Sequence, residues 1–168
     1  MSRYALSKRS SSYYLKQFRE DRIEIQPARE AGLYEVVRGE LVKAAPGTSC
    51  AIHLDASPGA GILTIEADHS SFDLYFPCEG RRVEPRFIQI GREVLGQIVE
   101  MDTAARALQP NHEFREELAY ADIRAEDMLE LHYCANTANA EWGVFFQRGE
   151  GGRWVPENLP VEPSAQEH

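Results

Sequence analysis

The chain has 168 residues, of which 43% are hydrophobic and 27% are charged, and this composition is typical of one globular domain rather than a disordered chain. It has no apolar run of about 18 residues, so a transmembrane helix is not predicted. Serines at 10–12 interrupt the apolar segment that a secretory signal requires. Three widely spaced cysteines, Cys50, Cys78 and Cys134, favour reduced thiols over a disulfide framework, and we expect a cytoplasmic protein.

The formal net charge of −9 is unevenly distributed along the chain. Residues 1–22 carry six basic and two acidic side chains, whereas the other 146 residues carry 12 basic and 25 acidic ones. A body with a net charge of −13 is a poor binder of nucleic acid or of an anionic membrane. It is better suited to a basic protein partner, because complementary potentials speed encounter and disfavour wrong partners.

In chain order, the polar and serine-rich residues 1–12 predict a flexible N-terminal arm, followed by a single domain over residues 13–156. Alternation of apolar and polar residues predicts six strands in the first half, at residues 22–26, 33–37, 40–44, 50–56, 62–67 and 72–76. The last three have near-regular spacing and are separated by turn residues. They predict an antiparallel meander with one buried face.

One long amphipathic helix is predicted next, at about residues 84–108. Glu84 and Pro85 open it, and apolar residues then recur at steps of three, four and seven. Gly91 and Gly96 each cost the helix about 1 kcal/mol relative to alanine, so we expect the helix to approach the sheet closely at both. The sequence Gln-Pro-Asn at 109–111 ends it.

The second half predicts a strand at 118–123 and then a hairpin that contains the densest set of core-forming residues in the chain. Its two strands place alternating apolar residues on one face: Leu129, Leu131 and Tyr133, then Trp142, Val144 and Phe146. A further strand follows at 153–155, and residues 157–168 predict an extended C-terminal tail. The order of strands, long helix and strands predicts an α+β fold, with a largely antiparallel sheet or sheets and the helix packed on one face.

Catalytic signatures are absent from the sequence: there is no Walker A motif, no dinucleotide fingerprint, no H-E-x-x-H, no C-x-x-C and no G-x-S-x-G. We therefore predict no enzyme activity, no catalytic residues, no metal and no cofactor. Two sets of side chains keep a small metal-dependent or Cys/His-dependent enzyme open as an alternative: His53, Asp55, Asp68 and His69, and the strand neighbours His132 and Cys134. The first set lies on the expected solvent face of the meander, where polar residues belong in any case.

The hairpin from Tyr133 to Phe146 resembles a Y-x-x-x-T-x-N-x-E-W-x-x-x-F hairpin in small bacterial domains of the immunity type, which are encoded beside polymorphic or type VI secreted toxins. The matching residues are Tyr133, Thr137, Asn139, Glu141, Trp142 and Phe146. Ala135 and Asn136 depart from the Gly-Thr usual at that place. The resemblance implies a protein that binds one toxin and blocks its active site without catalysis of its own.

We therefore predict an immunity protein that neutralises a cognate toxin with an acidic surface, either as a monomer or as a homo-oligomer. An interaction or regulatory module with another protein partner is the alternative. Acidic clusters at turns and element ends are best placed to enter a partner's cleft. The candidate partner-binding residues are Asp68, Asp73 and Glu79; Glu113, Glu116 and Glu117; and Glu126, Asp127 and Glu130.

Overall fold

A computed structural model describes residues 4–108, 116–135 and 141–157, of which 44% lie in strands and 25% in helices. The strands are β1 (Glu24–Gln26), β2 (Gly32–Val37), β3 (Glu40–Lys43), β4 (Ile52–Leu54), β5 (Ala60–Glu66), β6 (Ser71–Pro77), β7 (Glu116–Ala125), β8 (Met128–Ala135), β9 (Glu141–Arg148) and β10 (Trp154–Pro156). The α-helices are α1 (Ser11–Leu15), α2 (Pro85–Leu95) and α3 (Ile98–Ala107). Among the described residues, no helix has both the length and the apolar character needed to cross a membrane.

The strands form two sheets. The large sheet has seven strands in the order β1-β5-β6-β7-β8-β9-β10, and the small sheet has three in the order β3-β2-β4. Neighbouring strands are antiparallel except for β6 and β7, which are parallel. Because α2 and α3 carry the chain from β6 back to the start of β7, the two strands run in the same direction.

One face of the large sheet is covered by the helices and forms the core. The alternation in the predicted hairpin is confirmed, because Leu129, Leu131 and Tyr133 are fully buried and lie opposite Phe146, Val144 and Trp142. Phe72, Leu74 and Phe76 of β6 join the same core, together with apolar residues of α2 and α3. We call this the covered face.

The predicted α+β fold with one long helix over residues 84–108 is wrong: the described fold is mainly β, and the helical segment is two short helices. Helix α2 ends at Leu95 and is capped by Gly96. The next residue, Gln97, has non-helical torsion angles of φ −125° and ψ 9°. The Gln97 side chain accepts from the Trp154 N–H at 2.9 Å and donates to the Gly152 carbonyl at 2.7 Å. This contact with β10 accompanies the break, and periodicity alone cannot reveal it.

The two helix glycines have different roles. The expected close approach is confirmed at Gly91, where a Cβ would lie 2.5 Å from the ring of Phe76 on β6. It is wrong at Gly96, where a Cβ would meet no sheet atom and the residue instead caps α2. Gly91 therefore permits close packing of α2 on the sheet, whereas Gly96 caps the end of α2.

The predicted meander is correct for β5 and β6, which pair antiparallel, but wrong for β4. That strand pairs with β2 in the small sheet, where Tyr34 lies opposite Ile52. The small sheet leaves apolar side chains exposed on both of its faces: Leu33, Val36, Val37, Leu41, Val42 and Ile52. The alternating pattern of β4 predicts a strand, but it does not specify the sheet to which that strand belongs.

Within the predicted N-terminal arm of residues 1–12, the described residues Leu6–Lys8 form a short 3-10 helix that packs against α3. Leu6 is 3% exposed, and its N–H donates to the buried carboxylate of Asp102 at 2.9 Å. Asp102 also accepts from Arg106 at 3.0 Å and from the hydroxyl of Tyr133 at 2.5 Å. A single buried carboxylate therefore connects the N-terminal segment, α3 and β8. Of the predicted tail at 157–168, all but Glu157 lies outside the described residues.

Candidate functional site

The other face of the large sheet carries polar and aromatic side chains that are half-buried or exposed. They alternate with the core residues on the same strands, as the two-residue period of a strand requires. A register shift between Leu118 and Tyr120 lets β7 keep this alternation on both sides of the irregularity. We call this surface the open face and define it by Asp73, Tyr75, Glu117, Tyr120, Asp122, Arg124, Glu130, His132, Cys134 and Glu141.

A row of three rings crosses the open face from β6 to β8. Tyr75 contacts Tyr120 edge to face, with ring centroids 5.2 Å apart. Tyr120 stacks on His132 at 4.7 Å, with the two ring planes inclined by 9°. Burial and nearby carboxylates raise the pKa of both tyrosines, so they stay neutral hydrogen-bonding groups at physiological pH.

Carboxylates flank this row of rings and outnumber the cations beside it. Arg124 binds Glu130 at 2.8 Å and approaches Asp122 at 3.3 Å, so one guanidinium serves two carboxylates. Burial raises the pKa of Asp122, although Arg124 opposes the shift. Asp73 accepts a hydrogen bond from the Thr64 hydroxyl at 2.7 Å. The open face therefore has a negative potential that its own arginine does not cancel.

The β8–β9 end of the open face brings together a histidine, a cysteine and a glutamate. His132 and Cys134 are two residues apart on β8 and therefore point to the same side, and Glu141 lies opposite Cys134 on β9. His132 Nε2 lies 2.7 Å from Glu141 Oε1, and one donor atom from each of the three residues lies within 4.8 Å of the others. Burial, Glu141 and Glu117 raise the pKa of the Cys134 thiol.

An open groove of about 690 Å³ adjoins the other end of the row of rings. Tyr75, Tyr120, Asp122 and Arg124 contribute to its lining, and residues 58–60 and 77–78 line it as well. Its volume lies within the range of about 300–1,000 Å³ that is usual for ligand pockets. The groove gives a partner's side chain a place to insert beside the carboxylates of the open face.

The nine predicted partner-binding residues are dispersed over the structure. Asp73, Glu117 and Glu130 share the open face, although they come from three different predicted clusters. Two of the others form ion pairs elsewhere, Asp68 with Arg9 and Glu126 with Arg86. Glu79 forms a backbone bridge with Arg82, Asp127 lies in the β7–β8 turn, and Glu116 begins β7. Glu113 lies outside the described residues.

The two alternative sets of chemical residues also have different outcomes. No three of His53, Asp55, Asp68 and His69 form a potential metal-binding group among the described residues. The side chain of His69 instead packs on Tyr4, with ring centroids 5.6 Å apart. His132 and Cys134 do come together, and Glu141 completes their group.

Sequence reasoning missed Tyr75, Tyr120, Asp122 and Glu141 as site residues. Glu141 could have been found from the hairpin register, because pairing Tyr133 with Trp142 sets Cys134 opposite Glu141. Tyr120 and Asp122 lie opposite His132 and Glu130 on β8, and their register depends on the shift between Leu118 and Tyr120. Tyr75 depends on β6 and β7 being neighbours, and the sequence gives no signal for that pairing across two helices.

The open face therefore offers a partner carboxylate oxygens and ring faces, both of which bind lysine and arginine side chains. Its β8–β9 end adds nitrogen and sulfur donor atoms. Comparison of the chain with models of protein families, with curated proteins and with solved structures finds no match.

Proposed function

We propose that this protein is an immunity protein that binds a cognate secreted antibacterial toxin and blocks its active site with the open face. The observation that carries the proposal is the composition of that face. Carboxylates from β6, β7, β8 and β9 surround a row of aromatic rings on the side of the large sheet that the helices leave uncovered. The resemblance of the hairpin at Tyr133–Phe146 to immunity-type domains supports the same conclusion.

The chemistry of the open face suits a basic partner. Toxins that act on nucleic acids or nucleotides need cationic side chains in their clefts, because their substrates are anionic. Carboxylates speed the encounter with such a cleft, and tyrosine rings supply apolar area and cation–π contact once it is occupied. A rigid sheet can present both groups with little loss of conformational entropy.

The proposal places the encounter in the cytoplasm of the protected cell. The three cysteines are free, and a reducing compartment keeps them so. The exposed apolar side chains of the small sheet provide a second surface on which another protein could rest. This observation favours the alternative of a more general interaction module, with the small sheet as its interface.

Co-expression tests the proposal. Each polypeptide encoded next to the gene of this protein is produced in a test strain with and without the protein, and growth is measured. We expect one of these polypeptides to stop growth and the protein to restore it. If none is toxic, or if the toxic one remains toxic in the presence of the folded protein, the immunity function is contradicted.

Two charge-matched variants identify the surface that protects. Each removes three carboxylates and therefore changes the net charge equally. The open-face variant is Asp73→Asn, Glu117→Gln and Asp122→Asn, and the small-sheet variant is Glu35→Gln, Glu40→Gln and Asp55→Asn. We expect the open-face variant to lose protection and the small-sheet variant to retain it. The reverse result would favour the small sheet as the interface.

A further inference from the structure

His132, Cys134 and Glu141 on the open face form a group of potential metal ligands, and toxin binding does not require such a group. Nitrogen, sulfur and carboxylate oxygen together are the donor set that zinc takes in proteins, whereas magnesium and calcium prefer oxygen alone. We propose that His132, Cys134 and Glu141 bind one zinc ion, with a fourth coordination position open to solvent. This inference does not depend on the proposed immunity function.

The distances between the donor atoms suit a tetrahedral ion. With zinc bonds of about 2.0–2.3 Å, two donor atoms of a tetrahedral site lie about 3.3–3.8 Å apart. The three donor atoms already lie within 4.8 Å of one another, and His132 Nε2 and Glu141 Oε1 are 2.7 Å apart. The Glu141 side chain is 62% exposed, so it can rotate to lengthen that contact and admit the ion.

The surroundings of His132 are those of a metal ligand. Its second ring nitrogen, Nδ1, lies 3.4 Å from Glu130 Oε2, and its ring is stacked on Tyr120. A carboxylate that accepts from Nδ1–H favours the tautomer whose Nε2 lone pair binds a metal, and this carboxylate–histidine pairing accompanies most zinc-bound histidines. The imidazole is therefore held by Glu130 and Tyr120, with Nε2 directed at Glu141.

Gly143 makes room for this second carboxylate. It lies opposite His132 in the β8–β9 register, and a Cβ built there would overlap Oε2 of Glu130. The backbone at Gly143 does not have the positive φ that only glycine adopts readily. The glycine is therefore explained by the space that Glu130 occupies under His132, rather than by backbone conformation.

Binding requires the loss of two protons, from Cys134 Sγ and from His132 Nε2, and no electron transfer. Nε2 carries a proton while it donates to the Glu141 carboxylate, and that proton passes to solvent as zinc binds, with Nδ1–H kept or restored from solvent. As the bond from Cys134 Sγ to zinc forms, the S–H bond breaks and its proton passes to solvent. His132 binds through the lone pair of Nε2, and Glu141 binds as the carboxylate. The fourth position takes a water molecule or a donor from a partner.

Cobalt(II) is the probe, because it takes the zinc site and gives a charge-transfer band when a thiolate binds it. We expect the purified full chain to bind one equivalent of cobalt with such a band, and added zinc, but not magnesium, to remove the band. Cys134→Ser should abolish it, and His132→Gln and Glu141→Gln should each weaken cobalt binding at least about tenfold. Thermal unfolding of every metal-free variant shows that each is folded.

Matched controls are available on the same chain. Cys78→Ser and His53→Gln change half-buried and exposed side chains outside the group, and both should leave the band and its affinity unchanged. The proposal is overturned if the wild-type protein gives no thiolate band, or if the band survives Cys134→Ser. Either result would leave His132 and Glu141 as a simple cross-strand hydrogen bond.

Gly143→Ala separates a positioned metal site from chance proximity. The new methyl group displaces a flexible carboxylate rather than backbone, so we expect little change in melting temperature. Loss of the Glu130 contact with His132 should nevertheless weaken cobalt binding about tenfold. Unchanged affinity in this variant would contradict the role of Glu130 and Gly143 in building the site.

Discussion

The two faces of the large sheet are made by the same strands but carry opposite chemistry. The covered face holds aromatic and aliphatic side chains in a closed core, and the buried carboxylate of Asp102, which comes from α3, accepts from several hydrogen-bond donors. On the open face, Asp122 and Glu130 share Arg124. The rings of Tyr75, Tyr120 and His132 remain half-buried there. The covered face thus satisfies the Asp102 carboxylate within the chain, whereas the open face leaves carboxylates and rings able to bind a group outside it.

This comparison teaches where to look for stability and where to look for function. A buried carboxylate without partners would be very costly, so a protein retains one only where every oxygen is satisfied. On the open face, like charges placed on neighbouring strands lower stability and gain nothing from the fold itself. Mutations on the two faces should therefore separate loss of folding from loss of binding.

The largest effect on folding is expected at Asp102. Asp102→Asn removes the charge that Arg106 pairs with and replaces one of the two acceptor oxygens, which accept separately from the Leu6 N–H and the Tyr133 hydroxyl. Breaking a buried pair on one side costs about 3–5 kcal/mol. Chemical denaturation measures the loss in the free energy of unfolding. The control is Asp68→Asn, which breaks the exposed pair with Arg9 and should cost less than about 1 kcal/mol. Equal losses in the two variants would contradict the account of the covered face.

A smaller loss is expected at Trp142, whose ring is half-buried and stacks on Tyr133 at 4.2 Å with an interplanar angle of 8°. Trp142→Ala removes both the stack and its apolar contact with the core, and we expect a cost of about 2–4 kcal/mol. Phe145→Ala, on the same strand but on the opposite face, should cost less than about 1 kcal/mol. Differential scanning calorimetry of both variants makes the comparison, and a larger effect at Phe145 would reverse the assignment of the two faces.

The smallest effect, and the one of opposite sign, is expected at Asp122. Burial raises the pKa of Asp122 in the folded protein above its value in the unfolded chain. The free energy of unfolding therefore falls as the pH rises from the pKa of the unfolded chain through the pKa of the folded protein. Asp122→Asn should therefore stabilise the protein at pH 7, by about 0.5 kcal/mol, and this gain should disappear at acid pH. Denaturation curves across the pH range test this expectation. A loss of stability at pH 7 would mean that the contact with Arg124 outweighs burial.

The sequence predicted local features of this fold better than its connections. The β8–β9 hairpin followed from the alternation of Leu129, Leu131 and Tyr133 with their partners, because strand period and burial are local properties. The parallel pairing of β6 with β7 did not follow, since it depends on how two intervening helices pack. The break at Gln97 did not follow either, because its partners, Gly152 and Trp154 of β10, are more than 50 residues away.

The candidate site was predictable to a similar extent. His132 and Cys134 share a strand face by their spacing, and the structure confirms that they come together. The grouping of Asp73, Glu117 and Glu130 was not predictable, because it requires the order of β6, β7 and β8 in the sheet. Clusters of acidic residues along the sequence are a poor guide where cross-strand neighbours come from distant segments.

The central claim is that the open face, rather than acidity in general, holds the partner. The direct test is the dissociation constant of the purified protein with the toxic polypeptide encoded beside it, for the wild type and for the two charge-matched variants. Because losing a desolvated charge pair costs about 2–5 kcal/mol, the open-face variant should bind at least about 30-fold more weakly. The small-sheet variant should bind within about twofold of the wild type, as expected for exposed charges away from the contact. Equal affinity in all three proteins, or weakening confined to the small-sheet variant, would contradict the account.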